Sequence, residues 1–454
     1  MEAARANAIA AIAVASSPGG ASSVGGEAPP ASPSVLVSPL GLGARGGDDG
    51  SGDEDGSNNQ LLRRMVEDGA IGCLARLLRD GDDEALLESV TVALALASFH
   101  PEAQAEMLKQ GVVHALIQAL RGERIQAAAT KHAASVILAA LSFTPGHIPH
   151  LFEAGTLEAV FLLARTEETA TRKRCATVLC NLSFDAHVRD RMVAVNAVRT
   201  LAQLSNTYSD ETQMDCASCF CNLSCGSEVN REAIVRQGAV GALLMICLVR
   251  AVTTRTREVC ARALVNLVTD ATVRLVLEEG VAQGLASLCG LDSEDCLRVC
   301  AQAFWVLSRH AAGRAKLTSR RSIMQGLCSL IRSGSEETRK LCGATVYNLL
   351  VDPATAAPAA EAGALGVVKV MSTVADPGMT VDCANAVAKI SACGTCRERM
   401  AKESIPEAMV LLAQQSEDLR TAVAALRALC CLTLFQFSMP RTLSGWVCGM
   451  RTPT

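Results

Sequence analysis

From residue 61 onward apolar residues recur at helical spacing, in a phrase that returns nine times. In one copy Cys175, Val178, Leu179 and Leu182 fall within a stripe of about 100° on a helix, which predicts an amphipathic helix with one face on a core. The same offsets give Cys216/Cys219/Phe220/Leu223, Cys260/Ala263/Leu264/Leu267, Cys300/Ala303/Phe304/Leu307, Cys342/Thr345/Val346/Leu349 and Cys383/Ala386/Val387/Ile390. The first position of the stripe reads Ser89, Ala134, Cys175, Cys216, Cys260, Cys300, Cys342, Cys383, Ala422. Every member is small, as close packing of each helix on its neighbours requires.

A second phrase precedes each stripe: a polar pair, Gly, Ala or Val, then aliphatics. It stands at Gly69, Gly111, Gly155, Gly238, Gly280 and Gly363, with spacings of 42, 44, 83, 42 and 83 residues. Two copies are skipped. Asn196 fills the first gap, and Asn is the next best residue after Gly for a left-handed turn. Arg321 falls near the second gap, and Ser404 opens a degenerate ninth copy. A period near 42 residues predicts a helical solenoid.

The ends differ. Residues 3–14 are a good helix former and read as a stray terminal helix over 1–14. Residues 15–60 are rich in Gly, Ser and Pro, end in an acidic cluster, and lack the apolar surface that offsets ordering entropy, so they read as disordered. The solenoid spans 61–432. Residues 433–454 read as an irregular cap or tail that concentrates Phe435, Phe437 and Trp446.

Composition narrows the function. The net charge of −4, with the acidity in the first 60 residues, makes nucleic acid a poor partner. No apolar run reaches the ~18 residues of a membrane span, so direct membrane insertion is not expected. Twenty cysteines without a secretory signal point to reduced thiols in the cytoplasm or nucleus.

The Gly bend, the period and the closing Asn-Leu phrase (Asn181-Leu182, Asn222-Leu223, Asn266-Leu267, Asn348-Leu349) resemble armadillo repeats. The resemblance implies an all-α, armadillo-type α-solenoid, a right-handed superhelix of about nine three-helix repeats. It also implies a non-catalytic adapter whose third helices line a concave groove, where Asn side chains bind the backbone of an extended partner segment. By that resemblance Asn181, Asn222, Asn266 and Asn348 take this role, and Arg174, Ser218, Arg262, Gln302, Asn385 and Lys389 flank them. An amide both donates and accepts, so it suits an unpaired backbone. The alternative use of the same amides is to bond the adjacent repeat. Nuclear-import adapters of the family, which carry basic cargo, place Trp one turn before the Asn. Here Thr177, Ser218, Arg262 and Ala344 stand there, which argues against that transport role.

Other motifs carry less. Cys216, Cys219, Cys221 and Cys225 point to different sides of one helix and cannot close a tetrahedral metal site. Cys393-Gly394-Thr395-Cys396 resembles a redox pair, but it follows a closing helix, in a loop between repeats, where nothing depresses a thiol pKa. Column cysteines of adjacent repeats, roughly 8–10 Å apart, are too far for a disulfide ladder. No P-loop, G-x-S-x-G or H-E-x-x-H occurs, so no enzyme, cofactor or metal is expected.

Overall fold

A computed structural model describes residues 64, 66–251, 253–373, 377–391 and 393–434. The expectations for residues 1–14, for 15–60 and for the tail from residue 435 lie outside the described residues. Among the described residues all regular structure is helical. The first repeat contributes helices Ala70–Asp80 and Glu84–Ala97, with helical residues at 64, 66 and 67 before them, and eight helix triplets follow. Repeat 3 shows the plan, with helices Ile148–Glu153, Thr156–Leu163 and Thr169–Leu182. The third helices of the following repeats are Asp210–Ser224, Thr254–Asn266, Glu294–Arg309, Glu336–Val351, Pro377–Ile390 and Leu419–Leu434, and that of repeat 2 is Ala128–Ser142.

The turn between first and second helices is where the Gly phrase acts. Gly155 has φ +89°, a left-handed conformation that a Cβ penalises. Asn196 takes the same conformation at φ 62°, and Ser404 at φ 58°. Repeat 7 departs from the pattern: Arg320 is extended there (φ −142°, ψ 132°), and the turn closes without a left-handed residue. Because Asn tolerates this region better than Ala, Asn196→Ala should cost about 1 kcal/mol and Asn196→Gly should not. Urea unfolding of the two variants checks the difference.

Four consecutive third helices, those of repeats 4 to 7, begin on hydroxyl caps. The hydroxyls of Ser209, Thr253, Ser293 and Ser335 accept from the amides of Thr212, Thr256, Cys296 and Thr338, which satisfies one orphan donor at each start. Consecutive third helices pack on one another along the whole array. Their contact faces are small and dry: Cys175, Cys216, Cys260, Cys300, Cys342 and Cys383 are buried, as are Ala176, Ala217, Ala261, Ala301 and Ala384. Gly343 continues that face, and a Cβ there would lie 3.0 Å from Met379 Cγ.

The stripe register is corrected at both ends. Ser89 is exposed, and its neighbour Val90 is buried instead. Ser98 donates to the Ala95 carbonyl as Ser183 does to that of Cys180, which aligns repeat 1 one residue later than the sequence reading. In repeat 9 the Asp418 carboxylate caps the Thr421 amide as Ser335 caps that of Thr338. That places the fully buried Ala425, not the half-buried Ala422, in the column.

Candidate functional site

The four column asparagines share one geometry. The side-chain Nδ2 of Asn181 donates to Ser142 Oγ at 2.9 Å, Asn222 to Ser183 at 3.0 Å, Asn266 to Ser224 at 3.1 Å and Asn348 to Ser308 at 2.9 Å. Each acceptor lies at the end of the preceding repeat's third helix. These serines in turn donate to a carbonyl three residues back in their own helix. The backbone carbonyls of Ser224, Ser308 and Ser391 accept from Arg231, Arg314 and Arg397 of the next first helix. One serine therefore joins three elements of two repeats. Bracing the stack, the alternative use of these amides, is what their Nδ2 groups do.

Exposure separates the predicted site residues. Ser218 and Asn222 have no exposed surface, so they lie beneath the third-helix face and do not line it. Asn181 is 5% exposed. Asn266, Asn348, Arg174, Arg262, Gln302 and Asn385 are half-buried, and Lys389 is exposed. Arg174 makes no hydrogen bond or ion pair among the described residues, and burial pulls its pKa down.

Two groups escaped the sequence reading. Asp215 occupies in repeat 4 the position of Arg174 in repeat 3. It is buried, accepts from the Thr177 hydroxyl at 2.6 Å, and burial pushes its carboxyl up to about 6. The second group is the half-buried aromatic pair Trp305 and Tyr347, one residue before the amide column in repeats 6 and 7. The Arg309 guanidinium stacks over Trp305 at 5.2 Å and the Lys389 ammonium over Tyr347 at 5.9 Å. By helical periodicity Gln302, Trp305, Val306 and Arg309 lie within about 100° of one another, on one face. Tyr347 and Asn348 continue that face in repeat 7, and Asn385 and Lys389 continue it in repeat 8.

No family model matches the chain, and no curated protein does. Solved structures do. An engineered protein from a structural genomics programme aligns over 82% of this chain and 91% of its own, at 21% identity and a TM-score of 0.53. UNC-45 from Drosophila melanogaster aligns over 84% of this chain and 53% of its own, at 15% identity and a TM-score of 0.54. The fold is an armadillo-type solenoid. A computationally designed armadillo repeat protein for modular peptide recognition also aligns, at 18% identity over 52% of this chain and 99% of its own, with a TM-score of 0.45.

The solenoid's cysteines divide sharply. Every described cysteine is a free thiol. Burial raises the column thiols of repeats 3, 4, 5, 7 and 8, with Cys175 and Cys383 pushed up to about 12, so they stay protonated and act as small apolar groups. Among the described residues no group of three or more His, Cys, Asp or Glu is arranged to hold a metal. Cys393 lies in the link between repeats as the sequence suggests, but it is the N-cap of the helix Gly394–Lys402, so a helix N-terminus does follow it. The first helix of repeat 9 begins immediately after it, which the short spacing from the closing helix had hidden.

The missed bracing partners had a sequence signal. Two residues after the amide column the chain reads Ser142, Ser183, Ser224, Val268, Ser308 and Leu350 in repeats 2 to 7. Each Asn follows a repeat with Ser there. Val306 follows Val268, and Lys389 follows Leu350.

Proposed function

We propose that this chain is a non-catalytic, protein-binding scaffold that holds an extended partner segment along the third helices of repeats 3 to 8. The observation that carries the reading is the strip on repeats 6 to 8. In a chain that is only 3% aromatic, Trp305 and Tyr347 stand half-buried on adjacent third helices, beside Gln302, Asn348 and Asn385. Aromatic faces anchor side chains through area burial, while amides pair with backbone N–H and C=O. Third helices packed roughly 8–10 Å apart match about two to three residues of an extended chain at ~3.3 Å each. Arg174 and Arg262 extend the strip toward repeat 3 and favour a partner with acidic groups or free carbonyls there. Asn181, Asn222, Asn266 and Asn348 also hold the repeats in register, the fully buried Asn222 from beneath this face. No single described helix is long and apolar enough to cross a membrane. The free thiols fit a reducing compartment, and we place the protein in the cytoplasm or nucleus.

The test is selection from a displayed library of unstructured peptides, followed by affinity measurement on purified protein. The double variant Trp305→Ala/Tyr347→Ala should bind selected peptides at least tenfold more weakly, with the helical circular-dichroism signal retained. Equal affinity in that variant would remove the strip from the binding surface.

A further inference from the structure

Outside the third-helix face, the joint between repeats 8 and 9 holds a second chemically distinct cluster. Cys393 is the N-cap of Gly394–Lys402, in extended conformation (φ −82°, ψ 119°), and is partly exposed. Cys396 sits three residues on, in the first turn, and is 1% exposed. An N-cap and the third helical position are roughly 5–6 Å apart between Cα atoms, inside the 4.4–6.8 Å span of a disulfide. We propose that Cys393 and Cys396 form a dithiol site that a hydroperoxide oxidises to an intramolecular disulfide.

The two thiols differ in the way such a step requires. The Thr395 hydroxyl, 3.2 Å from the Cys393 sulfur, holds that thiol below its ordinary range, and the Cys396 amide adds to this without a full capping hydrogen bond. The helix N-terminus favours the thiolate in the same sense. Burial pushes Cys396 up to about 12, and the neighbouring Cys393 reinforces this, so its proton stays on until it is needed. The Cys393 thiolate attacks one peroxide oxygen and the O–O bond breaks. The leaving alkoxide or hydroxide takes a proton, and Cys393 becomes a sulfenic acid. The Cys396 sulfur then attacks the Cys393 sulfur, its proton joins the departing hydroxyl, and water leaves as the S–S bond forms. Two thiols and one hydroperoxide thus yield a disulfide, an alcohol or water, and one water; the sulfurs lose two electrons and the peroxide gains them.

The unaltered chain supplies its own controls, because Cys73 and Cys430 are exposed and lie within helices rather than at a helix N-cap. Brief alkylation with iodoacetamide at pH 7, read by peptide mass spectrometry, should label Cys393 at least tenfold faster than Cys73 or Cys430. One equivalent of hydrogen peroxide should shorten the Cys393–Cys396 peptide mass by two hydrogens. In Cys396→Ser the Cys393 sulfenic acid should accumulate and be captured by dimedone. Labelling of Cys393 no faster than the two exposed controls would overturn the proposal. So would peroxide oxidation elsewhere with this peptide left reduced. Both readouts use the unaltered chain, so they stand even if the serine variant folds poorly.

Discussion

Asp215→Asn raises the stability of the solenoid by about 1–3 kcal/mol at pH 7.5, and the gain falls to a few tenths of a kcal/mol at pH 4. The cause is a buried carboxyl whose pKa burial pushes up to about 6 from an ordinary 3.8. Between those two values the folded state binds more protons than the unfolded state. Stability therefore falls as pH rises through this window and stays low above it. The Thr177 hydroxyl, which donates to Asp215, can donate equally to the amide oxygen of Asn. The two new N–H groups offset part of the gain, which is why the lower figure applies if they find no acceptor. Chemical denaturation at pH 4, 5, 6 and 7.5 should show the downward slope in the wild type and its loss in the variant. Parallel slopes for the two proteins would mean that Asp215 is not the titrating group.

The second large effect is at the joints between repeats. Asn222→Ala should destabilise the fold by about 1–3 kcal/mol, because a buried hydrogen bond is lost and a small void opens at a site with no exposure. Ser183→Ala removes the partner, and a double-mutant cycle should return a coupling of about 0.5–1.5 kcal/mol. The natural exceptions give a sharper comparison. Val306 follows a repeat that offers Val268 where others offer Ser. Val306→Asn should therefore lower stability, and Val306→Asn with Val268→Ser should recover part of the loss. Thermal melts of the four proteins decide it. Additive effects across the cycle would show that the asparagines do not act through these serines.

The period, the left-handed turns and the cysteine column were legible because each is a local constraint repeated in every unit. Asn196 is the instructive case, since only the demand for a left-handed residue explains why Asn stands where other repeats have Gly. The end repeats were misread, at Ser89 and Ala422, because they lack the Asn-Leu phrase that fixes register, and there a shift of one to three residues still leaves apolar positions in the stripe. The bracing role of Asn222 was open in the sequence because it depends on a residue about forty positions earlier, visible only when two columns are compared. Trp305 and Tyr347 were overlooked for a simple reason. They sit one residue off the amide column, whereas the aromatic position of the import adapters lies one full turn before it. Cys393 was misjudged because a closing helix and the next first helix follow so tightly that the cap between them reads as loop.

The account rests on partner segments lying along the third helices. A photo-cross-linking residue placed at Gln302 or Asn385, and in separate proteins at the exposed first-helix positions Glu153 and Glu398, tests this directly with library-selected peptides or native partners. Adducts should form from Gln302 and Asn385, and the cross-linked partner peptides should come from extended segments. Adducts confined to Glu153 and Glu398, with none from the third-helix positions, would contradict the account.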